Sequence, residues 1–254
     1  MIEDNIFLVS KIFFGGGWGM SLVLTLKGRD GIVIASDSRA TIGDPRGLVT
    51  ANDTVKKLFK VNDKVIMGVA GEANLGISIV HEILQDDKIT QTTDLKSTMN
   101  AIRNKAFSLL KQWLDNPEVI TPQGIIKRWP QILFLVAGYD ENNPNMYILN
   151  SHHFFAPELS TLNFAAIGVV PLAVYLLNRL HDPRAKVDSL KLLAAYCIME
   201  TASQDGKVGG PIQMLVLSPN KVEEVPNEEI DALAQEASKH NEMLRKAFYE
   251  EGEE

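Results

Sequence analysis

One cysteine, Cys197, is all that this 254-residue chain contains, so an intramolecular disulfide is excluded. It lies in an apolar helical run from Leu192 to Met199 and reads as core packing. The five histidines are scattered, and the one adjacent pair, His152-His153, is a poor arrangement for two ligands on one face, so no zinc spacing is present. No phosphate-binding Gly-x-x-x-x-Gly-Lys-Ser/Thr loop and no Gly-x-Ser-x-Gly nucleophile elbow occurs. No stretch reaches the roughly 20 apolar residues needed to cross a bilayer. The first nineteen residues lack a basic start: Glu3 and Asp4 stand there, Lys11 splits the apolar run, and no small-x-small cleavage site follows. Secretion is therefore not expected. A reducing, cytoplasmic location fits the lone thiol.

Excess positive charge is also missing. The net charge of −7 argues against nucleic-acid or anionic-membrane partners. The acidity is local: residues 222–254 hold eleven acidic and three basic side chains, which leaves the rest close to neutral.

What is present is an ordinary globular balance, 45% hydrophobic and 22% charged, on a chain long enough to form a core without a metal or disulfide. The run Gly15-Gly16-Gly17-Trp18-Gly19 before Met20 suits neither helix nor strand. Residues 1–20 therefore read as a propeptide or as an extension upstream of the true start at Met20. Either way Ser21 becomes the prospective first residue of the mature chain.

From Ser21 the periodicity predicts a hairpin of strands 22–26 and 32–35 around Gly28–Gly31. A second pair follows at 57–61 and 65–70, closed by Gly71. Helices are expected at about 72–85 and between Thr93 and Asp115. In the latter, Leu95, Met99, Ile102, Ala106, Leu109 and Trp113 step by three and four, and Phe107, Leu110 and Leu114 add a second stripe. Strands at 132–137, 146–149 and 164–167, helices at about 171–180 and 187–203, and strands at 212–217 and 222–225 complete the body. A last helix is expected from about Glu228 to Tyr249, capped by Asn227. Hairpins and consecutive helices point to antiparallel sheets with helical layers. One domain is expected over 21–226, followed by an acidic helix and tail over 227–254.

The residues able to carry chemistry gather at strand ends. Ser21 opens the first strand, Asp37 and Arg39 follow the second, Lys57 begins the third and Gly71 ends the fourth. Taken singly, each has an ordinary reading: an edge serine, an exposed strand-end pair, a surface lysine, a turn glycine. Their order carries more. Ser21–Thr41 (SLVLTLKGRDGIVIASDSRAT), Val55–Leu58 and Val65–Gly71 resemble a proteasome β-type subunit and are similar to the bacterial HslV-type peptidase. The resemblance continues more weakly through Ile167–Pro171 and from Asp205 to Gly209-Gly210.

The resemblance implies the αββα sandwich of the N-terminal-nucleophile hydrolases, an α+β fold of two antiparallel sheets flanked by helices. It implies that Ser21 attacks an amide carbonyl, its own α-amino group serving as base once freed by autoprocessing at the Met20–Ser21 junction. Lys57 would favour the nucleophile's anionic form and Asp37 would orient Lys57. The Gly71 N–H would stabilise the oxyanion, Asp205 would support the amine, and Arg39 would be structural. By the same alignment Ala40, Val55, Val69 and Ala73 would line an apolar pocket for the substrate side chain. No cofactor or metal is implied. The implied partners are a peptide or unfolded-protein substrate, a homo-oligomeric ring and an ATPase unfoldase.

Two features depart from the family. Serine replaces the usual threonine, and Val170 and Val208 stand where supporting serines are expected. The segment Asp44–Asp53 is also a few residues longer than the family pattern. The alternatives to a peptidase are a narrower amidase or peptide ligase on the same fold, or a non-catalytic ring subunit.

Overall fold

Along the first strand, β1 (Leu22–Lys27), side chains alternate between two apolar surroundings. Leu22, Leu24 and Leu26 point to a core shared with helices, while Val23 points to a core shared with a second sheet. A strand buried on both faces must lie inside a layered structure. The chain is described by a computed structural model over residues 21–43, 49–115, 120–121, 124–125, 129–219 and 221–249. The proposed leader 1–20, with Met20, lies outside the described residues, as do part of Asp44–Asp53 and the final residues of the tail.

After β1 come β2 (Ile32–Ser36), β3 (Ala40–Gly43), β4 (Val49–Asn52), β5 (Leu58–Asn62) and β6 (Val65–Gly71). Helices α1 (Ala73–Leu84), α2 (Asp87–Thr90) and α3 (Leu95–Asp115) follow. The short strands β7 (Ile120–Thr121) and β8 (Gly124–Ile125) precede the hairpin β9 (Ile132–Asp140) and β10 (Asn143–Asn150). Next are β11 (Pro157–Leu159), β12 (Phe164–Gly168), α4 (Pro171–Leu180) and α5 (Val187–Gln204). The chain closes with β13 (Gln213–Ser218), β14 (Lys221–Glu224) and α6 (Asn227–Tyr249).

One five-stranded sheet has the order β12-β1-β2-β13-β14 and the other β11-β10-β9-β6-β5. Their neighbouring strands all run antiparallel. Val23, Ile34, Ile66, Leu135, Ala165 and Leu215 fill the space between the sheets. Helices α4, α5 and α6 cover the first sheet through Ala173, Leu177, Leu190, Ala194, Ile198 and Ile230. The second sheet is covered by α1, α2 and α3 through Ile79, Ile83, Ile89, Met99 and Ile102. The fold is thus the expected four-layer αββα sandwich.

Several local expectations change. The buried face of α3 runs through Leu95, Met99, Ile102, Ala106 and Leu110; Leu109 is half-buried and Trp113 is exposed. At 3.6 residues per turn a stripe that steps strictly by three and four drifts around the helix, so Leu110 takes over from Leu109. Helix α6 begins at Asn227 itself, and the Pro226 carbonyl accepts the Ile230 N–H at 3.0 Å, so Asn227 is the first helical residue and not the cap. The β3–β4 hairpin, the β7–β8 pair, α2 and β11 were not expected from periodicity.

Candidate active site

Among the described residues, buried charge marks one place. Lys57 and Asp37 are both buried, and their side chains meet at 2.7 Å. Asp37 sits just beyond β2, where the chain leaves the sheet, and Lys57 sits one residue before β5. A carboxylate withdrawn from water needs its lone pairs filled, and here Oδ1 accepts Lys57 Nζ at 2.7 Å and the Leu22 N–H at 2.9 Å. Oδ2 accepts the Arg39 N–H at 3.2 Å and the Gly209 N–H at 3.0 Å. Asp37 therefore ties β1, Lys57 and the loop before β13 into one unit.

The Lys57 ammonium donates a second bond to the Arg39 carbonyl at 2.5 Å. Burial pulls its pKa below the ordinary lysine value, and the Asp37 carboxylate works against that pull. Its backbone is pinned as well: Gln213 Oε1 accepts the Lys57 N–H at 2.9 Å, while Gln213 Nε2 donates to the Val55 carbonyl at 2.6 Å. Sequence reasoning passed over Gln213, because a glutamine at a strand start carries no signal of its own.

Ser21 is buried, and its hydroxyl reaches the same Arg39 carbonyl at 3.5 Å. Its carbonyl accepts the Val169 N–H at 2.8 Å. Gly168, with φ +91°, lies against that carbonyl so closely that a Cβ there would stand 2.0 Å from the oxygen. Only glycine fits such an approach. Ser21 itself has φ +81°, a region that costs a side-chain-bearing residue about 1–3 kcal/mol.

Gly71 ends β6 with φ +98° opposite Ile132, on the strand next to β5. Ser21, Asp37 and Lys57 are therefore brought together around the Arg39 carbonyl. Asp205 is placed differently. It closes α5, its Oδ1 accepts the Lys207 N–H at 2.9 Å and its carbonyl accepts the Val208 N–H at 3.0 Å. Among the described residues no hydrogen bond links it to Ser21.

Of the four residues expected to line a substrate pocket, Ala40 is buried and Val55 and Ala73 are half-buried. Val69 faces the helical layer, in the core beneath α1, where Gly76 leaves room for it. A cavity of about 200 Å³ does open beside this region, but Lys56, Leu58, Gln213, Met214, Leu215 and Glu224 line it. Val170 and Val208 are both buried in the core beneath α4 and α5. Cys197 is buried in that same core, and burial pushes its thiol up to about 12, so it is no competing nucleophile.

The family model described as "Proteasome subunit" matches residues 21–119. The chain is 24% identical over 193 residues to proteasome subunit beta 2 of Pyrobaculum neutrophilum, covering 76% of this chain and 86% of that one. It is 26% identical over 208 residues to the proteasome subunit beta of Methanococcus aeolicus, covering 81% and 87%. Among solved structures, the Anbu (Gly-1) mutant from Hyphomicrobium sp. strain MC1 shares the fold with a TM-score of 0.67 at 15% identity, over 92% of this chain and 99% of that one. The helical assembly of the Anbu complex from Pseudomonas aeruginosa matches with a TM-score of 0.69, also at 15% identity, over 91% and 98%.

Proposed function

The chain belongs to the proteasome-subunit family, and from that premise we propose that it is a peptidase acting through an acyl-enzyme on Ser21. One observation carries the reading: the Ser21 hydroxyl and the Lys57 ammonium converge on the Arg39 carbonyl, with the ammonium held by a wholly buried Asp37.

A serine hydroxyl is a weak nucleophile at neutral pH and needs a base. A freed α-amino group, with a reference pKa of about 7.7–8.0, supplies one on the same residue. Ser21 Oγ bonds to the scissile carbonyl carbon as its proton passes to the amine. The charged Lys57 beside it stabilises the developing alkoxide. The Gly71 N–H donates to the oxyanion, a contribution of about 2.7–4 kcal/mol per donor in other hydrolases. Collapse breaks the C–N bond, the ammonium returns its proton to the leaving amine, and water then hydrolyses the ester. Asp205 supports the amine only after residues 1–20 are gone. The positive φ of Ser21 supports that release, since a strained backbone angle is relieved when the residue becomes the first of its chain. The substrate is a peptide or unfolded protein with an apolar side chain before the scissile bond, and subunits assemble into a homo-oligomeric ring served by an ATPase unfoldase.

Val170 and Val208 favour a second reading, a structural ring subunit, since neither valine can hydrogen-bond to an amine or a water. Intact mass and N-terminal sequencing, followed by a peptide-library digest with wild type and Ser21→Ala, separate the two. The peptidase reading expects a chain beginning at Ser21 and a loss of turnover on the order of 10³-fold or more in Ser21→Ala. A chain beginning at Met1 that cleaves nothing establishes the structural subunit. Unchanged cleavage by Ser21→Ala removes Ser21 from the mechanism.

A further inference from the structure

The Arg39 carbonyl holds both the Lys57 ammonium and the Ser21 hydroxyl, yet residue 39 lies in the three-residue link between β2 and β3, outside both ladders. Something else must set the position of that oxygen. The Arg39 N–H donates to the Gly209 carbonyl at 3.0 Å as well as to Asp37. The guanidinium turns the other way. Its Nε and Nη2 form a fork on Asp53, at 2.7 and 2.8 Å, and Nη1 donates to the Gly206 carbonyl at 3.1 Å.

Asp53 is itself anchored, since its carbonyl accepts the Ser38 hydroxyl at 2.7 Å. Gly209 lies so close to the guanidinium that a Cβ there would stand 2.6 Å from Arg39 Cζ. Residue 39 is therefore gripped from three sides: the end of β2, the segment that follows β4, and the loop between α5 and β13.

We propose that Asp53 and Arg39 are positioning residues for the nucleophile, the bidentate pair fixing the height of the Arg39 carbonyl and, through it, the Lys57 ammonium. The proposal rests on the peptidase reading for its kinetic consequences, but not for its geometry. The pair is a poor stabiliser of the fold: the Arg39 and Asp53 side chains are 26% and 39% exposed, and exposed ion pairs contribute little. Its geometry is strong, because a guanidinium fork on a carboxylate fixes orientation as well as distance. A bond pattern of this kind matters where an ångström matters.

Among the described residues, the charged groups facing Lys57 are Asp37, Asp53 and Arg39. If the carbonyl drifts away, the buried ammonium loses an acceptor, its charged form is less favoured, and it deprotonates at lower pH.

The test uses the chain beginning at Ser21 with Asp53→Asn and Arg39→Lys, the first breaking the fork by charge and the second by shape with charge kept. Both variants are expected to lose roughly ten- to a hundredfold in kcat with KM and Tm unchanged. In both, the alkaline limb of the kcat profile is expected to move to lower pH. Wild-type kcat and an unmoved limb in both variants overturn the proposal. So does a shift in Asp53→Asn alone, which would reduce the pair to a distant charge. Activity that survives Ser21→Ala, or is absent in wild type, overturns the peptidase reading instead. In that case NMR titration of the Lys57 side-chain amine still decides: a lower titration point in both variants supports the pair, and unchanged titration overturns it.

Discussion

Asp37 accepts four hydrogen bonds with no exposure to solvent, and its partners come from residues 22, 39, 57 and 209. Replacing it with alanine strands the Lys57 ammonium in a site that water does not reach. Breaking a buried pair from one side costs about 3–5 kcal/mol, and Asp37→Ala is expected to lose that much in denaturant unfolding. A loss below about 1 kcal/mol would mean that Lys57 swings out to solvent. At this scale the sequence was legible wherever a residue type recurs in the family's order: Ser21, Asp37 and Lys57 could be picked out that way, and the structure brings them together. The geometry of Asp205, Val69 and Gln213 could not, because each depends on which way a side chain turns at the end of an element. Asp53 was hidden for another reason: its partner Arg39 had an ordinary surface reading, and nothing local distinguishes a fork from a stray pair.

Elements were readable where apolar periodicity is long. Strands β1 and β2, the helix α4 from Pro171 to Leu180 and the body of α5 fall where a short apolar run bounded by turn residues or a 3.6-residue repeat places them. The hairpin of β3 and β4 carries no such pattern, and β11 is a three-residue strand beginning with proline at a sheet edge, a place where the missing N–H is tolerated. The turn from β12 into α4 matters most for the site, because Gly168 and Val169 close on the Ser21 carbonyl. A Gly168→Ala substitution meets both a forbidden backbone angle and a backbone oxygen. It is expected to destabilise the protein by more than about 1 kcal/mol and, on the proposed peptidase function, to lower kcat together with stability. Wild-type Tm and kcat in that variant would show that β1 can shift without consequence.

Across the whole molecule, the two helical layers are not equal in reach. Helix α6 is bound to α5 by Lys191–Glu229 and by Asn241–Glu200, and it buries Ile230 and Ala237. Past Asn241 it leaves the body: Met243, Leu244, Phe248 and Tyr249 are exposed, Tyr249 to 84%. Its apolar stripe, broken at Asn241 between Ala237 and Leu244, is buried only in its first half, a difference that periodicity alone does not reveal. Deleting residues 243–254 is expected to change Tm by no more than about 2 °C, the scale of a surface change in a chain this long. A larger fall, read by thermal unfolding at several protein concentrations, would show that this end packs on something outside its own domain.

The first strand lies inside its sheet, between β2 and a strand that begins at Phe164, and the lysine beside it is fixed by Gln213, 156 residues further along. A chain is made from its amino end at about 5–20 residues per second, so Lys57 waits roughly 10–30 s for its partner to be synthesised. Through that interval Asp37 also lacks Gly209. The serine is among the first residues out and its surroundings among the last. On the proposed peptidase function, a nascent chain still on the ribosome has no seated nucleophile, and the order of synthesis acts as a clock that keeps the site unmade until the chain is nearly whole.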